Sequence, residues 1–125
     1  MNTFFPVMLG GAIGAGCRHL LGQIMLARLG PGFPWWTFAA NIAGSLAMGL
    51  LVGWLARSGG SETTRLFLGV GLLGGFTTFS SFSLEFWLLF ERGAMAQALA
   101  YVLSSVIVGL FACGLGMVAM RQLPA

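Results

Sequence analysis

Lysine and aspartate are both missing from this 125-residue chain. Its charge comes from six arginines and three glutamates, and only 7% of its residues are charged. Soluble domains carry about 25%, so an ordinary water-soluble fold is excluded. The arginines are scattered and form no basic cluster, so nucleic acid is not an expected partner despite the net charge of +3. No acidic residue precedes Glu62. A proton-coupled antiporter needs a titratable carboxylate inside its spans, and only Glu85 stands where one would be. The single histidine, His19, has no aspartate to orient it, so no Ser–His–Asp set can form. Cys17 and Cys113 lie in separate apolar runs. They give neither metal-ligand spacing nor a disulfide framework and are expected to be buried packing residues. These absences argue against an enzyme.

Apolar residues are abundant. They make up 58% of the chain, with twenty glycines that suit helices in close approach within lipid. The expectation is an all-α integral membrane protein with one domain over residues 1–125 and almost no mass outside the bilayer. A span needs about 20 apolar residues, and the stretches 4–27, 35–56, 66–90 and 94–120 qualify. The sequence Gly14-Ala15-Gly16-Cys17 faintly resembles a lipoprotein cleavage site. The first 17 residues hold no Lys or Arg, so the positive start of a signal peptide is missing and residues 4–27 are read as a retained span. Trp35, Trp36 and Trp54 suit the interfacial aromatic belt. Gly10 and Gly14 form a small-residue stripe on the first span. Thr37, Asn41, Ser45, Gly49 and Gly53 form one on the second, and Tyr101, Ser105, Gly109 and Cys113 one on the fourth. The tight connection Glu91-Arg92-Gly93 makes the third and fourth spans antiparallel neighbours.

Arginine placement gives little orientation signal. With four spans, Arg57, Arg65 and Arg121 fall on one side of the membrane and Arg28 and Arg92 on the other. The positive-inside rule then sets no firm topology. Insertion in both orientations and assembly as an antiparallel, dual-topology homodimer is the expectation.

The third span is unusual. From Thr77 to Ser83 it carries five hydroxyls and two phenylalanines, directly after Gly74-Gly75-Phe76. Lipid offers polar groups no partners, so a run this dense points to a protein-lined ion or substrate path. Hydroxyls that bond only within their own helix are the bland alternative. Neutral donors on other spans add to the set: Asn41, Tyr101 and Ser105. Hydroxyl and amide N–H groups can replace water around an anion. Phe79 and Phe82 share a helix face, and a phenyl ring is positive at its edge. Such a lining admits an anion without a fixed charge to trap it. Arg18 is either a snorkelling anchor or a collector of anions at a pore mouth. The paired glycines before Thr and Ser allow the helix to break mid-membrane, exposing carbonyls that can coordinate a cation. Glu85 is favoured as a hydrogen-bonded helix anchor over a member of the ion path.

The run Gly74-Gly75-Phe76-Thr77-Thr78-Phe79-Ser80-Ser81-Phe82-Ser83-Leu84-Glu85 resembles the signature of the CrcB/Fluc fluoride channels. Gly14-Ala15-Gly16-Cys17-Arg18 is similar to that family's first-span pattern, and Thr37-Phe38-Ala39-Ala40-Asn41 to its second. The resemblance implies an antiparallel homodimer of four-helix subunits with a broken third helix and two fluoride pores in the bacterial inner membrane. It implies that Phe79 and Phe82 are the pore phenylalanines and that Asn41 is a pore-lining donor. Thr78, Ser81 and Ser83 are implied for a hydroxyl track, continued by Tyr101 and Ser105, with Arg18 at the aqueous vestibule. A structural Na+ on the backbone carbonyls of Gly74 and Thr77 is likewise implied. Gly109 departs from the pattern, because relatives often carry a hydroxyl there. A small multidrug-type proton-coupled antiporter is the alternative, weakened by the lack of a first-span carboxylate. A non-transporting membrane assembly subunit is a third reading, and it leaves the hydroxyl run unexplained.

Overall fold

The computed structural model describes residues 2–124 and is all-helical. Helix α1 is Phe4–Leu29 and α2 is Trp35–Ser58. The third span runs from Glu62 to Glu91 in several pieces. They are a short α3 (Glu62–Arg65), a π-helical segment Leu66–Leu73, one turn α4 (Gly74–Phe76), and α5 (Phe79–Glu91). Helix α6, Met95–Gln122, completes four helices, among the described residues, that are long and apolar enough to cross a membrane. The helices reach slightly past most of the span limits read from sequence. Arg57, Ser58 and residues 62–65, expected in a loop, are helical. Ser61 caps α3 by accepting the Thr64 N–H at 3.1 Å, and its hydroxyl pairs with that of Thr64.

The four spans pack as two parallel pairs. In the first pair, Gly10 and Gly14 of α1 lie against the backbone of Phe67, Gly71 and Leu72. In the second, Gly49 of α2 meets the Cys113 carbonyl, and Gly53 meets Met117 and Met120. In both pairs the contacting residue numbers rise together, so the partner helices run the same way. The stripes of small residues predicted on the first, second and fourth spans are the surfaces in contact. A Cβ on Gly14 would overlap the Leu72 carbonyl oxygen, and a neighbouring helix backbone cannot retreat as a flexible side chain does. Gly14→Ala is therefore expected to cost about 2–3 kcal/mol, read as a lowered unfolding midpoint in detergent. A midpoint equal to the parent's would mean that α1 slides freely on the third span.

The third and fourth spans are antiparallel neighbours, as the tight loop predicts, chiefly through α5. The half of the third span before the interruption packs on α1 instead. Two arginines tie the helix ends together. Arg57 donates to the carbonyls of Met120 (3.0 Å) and Pro124 (2.9 Å) at the end of α6. Arg92 donates to the Gly32 carbonyl at 2.9 Å and joins the two loops at the opposite end.

Little of the chain is buried. The fully enclosed apolar side chains are Ala40, Leu89, Ala98 and Tyr101. Large apolar residues such as Phe5, Phe111 and Leu110 face outward, as a bilayer allows because it solvates them. Cys17, expected to be buried, lies on the exposed face of α1; Cys113 is half-buried, and both thiols are free.

Candidate functional site

The third span is interrupted at Thr77-Thr78, near its midpoint. Thr77 has φ −84°, ψ 157° and Thr78 has φ −151°, ψ 122°, both extended. The preceding glycines remove side chains where the span presses on α1: a Cβ on Gly75 would strike the Gly11 carbonyl. Extended backbone inside a membrane leaves amides without helical partners, and each must find another. The Asn41 side chain supplies them. Its Oδ1 accepts the Thr78 N–H at 2.8 Å and its Nδ2 donates to the Thr78 carbonyl at 3.1 Å. The amide of Asn41 thus acts as a strand-like partner to one residue of the interrupted helix. Its second N–H stays available to the cleft described below.

This clamp diverts donors from two carbonyls. In a continuous helix the Thr78 N–H would close on the Gly74 carbonyl, and the Ser81 N–H on that of Thr77. Here the Thr78 N–H goes to Asn41, and the Ser81 N–H goes to the Thr78 hydroxyl at 3.2 Å. The Thr78 hydroxyl is the N-cap of α5. Arg18 reaches across from α1 and donates its Nε–H to the Gly75 carbonyl at 3.3 Å. A cation at the C-terminal end of the half-helix before the interruption complements its dipole.

Beside the interruption lies a cleft of about 290 Å³ that includes Asn41, Ser45, Thr77, Thr78, Phe79 and Cys113. Its described lining carries no charged side chain. Phe79 stands largely exposed on this chain. Its ring centroid is 5.7 Å from that of Phe82, which in turn lies 5.2 Å from Tyr101. The three rings form a ladder that leads away from the break.

At the foot of the ladder is Glu85. Its Oε1 accepts the Thr37 hydroxyl at 2.8 Å and the Trp36 indole N–H at 3.2 Å. Its Oε2 accepts the Tyr101 hydroxyl at 2.7 Å. Three donors from α2 and α6 hold this α5 carboxylate, which is the helix anchor favoured from sequence. A second cleft, about 310 Å³, is bordered by Arg18, His19, Thr37, Ser81 and Glu85. A larger hollow of about 770 Å³ lies between the start of α1 and Phe67-Leu68. It is walled almost entirely by carbon, and we read it as a lipid-facing groove.

The predicted residues thus fall into groups. Asn41, Thr78, Phe79, Gly74 and Thr77 meet at the interruption. Phe82 and Tyr101 join Glu85, while Arg18 and Ser81 share the polar cleft. Ser83 donates its hydroxyl to the Phe79 carbonyl at 2.9 Å, and Thr77 donates to Leu73 at 3.0 Å. For these two hydroxyls the bland within-helix pattern holds. Ser105 is buried with no hydrogen-bond partner among the described residues, on the face that α6 turns to α2. Gly109, one turn further on, meets Ile42 and Ser45.

Trp36 is the residue that sequence reasoning misplaced. It was expected in an interfacial belt, yet it is half-buried with its N–H on Glu85. Trp35 and Trp54 are exposed, as a belt requires. Adjacent helical residues point about 100° apart, which lets both face lipid, as Leu110 and Phe111 do, so no local signal set Trp36 apart from Trp35.

Residues 5–117 match the family described as CrcB-like protein, Camphor Resistance (CrcB). The chain is 73% identical to the fluoride-specific ion channel FluC of Sphingopyxis alaskensis, over the full length of both. It is 53% identical to that of Mesorhizobium japonicum, covering 99% of this chain and all of the relative. For Novosphingobium aromaticivorans the identity is 55%, over 92% of this chain and 93% of the relative. With a family match across nearly all of its length and relatives this similar end to end, the chain belongs to the CrcB family.

Proposed function

We infer that this chain forms a fluoride-selective channel in the bacterial inner membrane, through which the anion leaves the cell passively and so does not accumulate to toxic levels. The observation that carries the reading is the ring ladder Phe79–Phe82–Tyr101, which starts at an interruption lined by neutral donors. Fluoride is small and strongly hydrated, so a path must replace its water with many donors that release it again. Ring edges, hydroxyls and the free Asn41 N–H meet that need. Helix α5 also turns its positive N-terminal end toward the interruption. Arg18 would gather anions at the vestibule. Ser81 and the unpartnered Ser105 extend the set of donors, whereas Ser83 contributes less because its proton is engaged.

The path is completed by a second copy in opposite orientation. Phe79 is 79% exposed on one chain, and a half-pore with an open ring invites a partner to close it. The near-even arginine distribution supports antiparallel pairing. A Na+ ion would sit where the two interruptions meet. Hard cations take oxygen ligands, and the carbonyls of Gly74 and Thr77 have lost their usual helical donors, so the residues fit such an ion. It would supply positive charge where unpaired carbonyls approach each other.

The antiporter reading has no support in this site. Its only candidate carboxylate, Glu85, is held by three donors rather than open to a cationic substrate. The deciding test loads liposomes bearing the protein with fluoride or chloride and adds valinomycin to release the charge. Fluoride efflux with negligible chloride efflux is expected. No fluoride efflux from folded protein would overturn the reading, and drug–proton exchange would then be assayed. A C-terminal reporter appearing on both faces of the membrane is expected of dual topology; a single face would rule it out.

A further inference from the structure

The polar stripes of α2 and α6 face each other in step. Thr37 and Tyr101 both reach Glu85. The Ser45 Oγ lies 3.7 Å from where a Cβ on Gly109 would stand, and Gly49 meets the Cys113 carbonyl. These three pairs are equally far apart in the chain, so the parallel helices keep one register and Asn41 stands level with Ser105. At the levels of Tyr101, Ser105 and Cys113, α6 carries a side chain; at Gly109 it carries none. The Ser45 hydroxyl is therefore left uncovered by α6. It is half-buried, has no hydrogen-bond partner among the described residues, and borders the cleft beside the interruption one turn from Asn41. Ser83 and Ser104 turn their hydroxyls back to carbonyls of their own helices; Ser45 does not.

We propose that Ser45 is a donor to the passing anion, and that it carries the path past Asn41 on the side away from the ring ladder. The ladder ends with Tyr101 at the level of Thr37, one turn to one side of Asn41; Ser45 stands one turn to the other. Its free O–H can replace a water of a small, strongly hydrated anion, and the bare backbone at Gly109 leaves room for the ion beside it. A hydroxyl from α2 thus serves where α6 offers nothing. The assignment rests on the fluoride-channel reading and adds to it a residue on the second helix.

The experiment moves the hydroxyl from one helix to the other and reads fluoride efflux from proteoliposomes with valinomycin. Ser45→Ala removes one oxygen, and alanine is the better helix former, so the elution profile in detergent should match the parent's. Its efflux is expected to fall about tenfold, the worth of one hydrogen bond to a charged group. Gly109→Ser, added to Ser45→Ala, returns a hydroxyl to the same level from α6. A Cβ at Gly109 meets only ordinary contacts, with Ile42 and Ser45 at 3.7 Å, so the substitution fits. This double variant is expected to recover efflux to within about threefold of the parent. Gly109→Ala with Ser45→Ala fills the same space without a donor and should stay low. If the serine at position 109 restores no more than the alanine does, a hydroxyl is not what was lost and the assignment is overturned. A conducting parent whose Ser45→Ala variant keeps efflux within about threefold overturns it as well, and leaves the channel reading standing. A folded parent that carries no fluoride overturns both.

Discussion

Replacing Phe79 and Phe82 together by isoleucine is expected to lower fluoride efflux about a hundredfold in a protein that still folds. Each ring edge is worth about 1.5 kcal/mol to an ion in a desolvated setting, the same quadrupole attraction seen between rings and ions of opposite sign. Two edges give about 3 kcal/mol, and each 1.36 kcal/mol is a factor of ten in rate. Isoleucine keeps the apolar character and removes the positive edge. Phe79 is largely exposed on the single chain, so its loss should barely affect folding. Phe82 packs beside Tyr101 and the small core of Leu89 and Ala98, so it carries a modest stability cost as well. Efflux from liposomes, read with a fluoride electrode, together with the elution profile in detergent, separates the two effects. Efflux within threefold of the parent would remove the rings from the ion path.

The second large effect is expected at Asn41. Asn41→Ala leaves the Thr78 N–H and carbonyl without their partners in the middle of the third span. Each orphaned group costs about 1–3 kcal/mol, so the loss should come to about 4 kcal/mol. Both the unfolding midpoint and fluoride efflux should collapse. Asn41→Asp should fare no better, because one carboxylate oxygen would then face the Thr78 carbonyl with no proton between them. The chain with Asn41→Ala tests whether this side chain is chiefly a clamp or chiefly a pore donor. A variant as stable as the parent but without efflux would make it a pore donor alone.

Much of this architecture could be read from the chain before any coordinates. Gly10 and Gly14, and the stripe from Thr37 to Gly53, announced the helix faces in contact, because close packing in lipid demands small residues at a fixed period. Gly74-Gly75 followed by two threonines announced the interruption. What repairs that interruption could not be read. Asn41 lies 37 residues from Thr78, and no local pattern links them; their pairing exists only once α2 and the third span are packed. The hydroxyl run was read as one unit, yet its members diverge. Thr77 and Ser83 turn back to their own helix, Thr78 caps α5 and Ser81 faces a cleft. Which way a hydroxyl rotates depends on neighbours that composition does not reveal. Glu85 was anticipated as an anchor, but its indole partner was hidden behind the habit of placing tryptophans at the membrane surface.

The Asn41 clamp also orders events during biosynthesis. The residue that repairs the interruption belongs to α2, while the interruption belongs to the span that follows. A ribosome therefore delivers the amide to the membrane first. When Thr77-Thr78 emerges, its unpaired backbone meets a partner already waiting at the right depth. With Asn41→Ala the third span would arrive with nothing to receive it, so the lesion would lower the yield of inserted protein as well as the stability of what does fold.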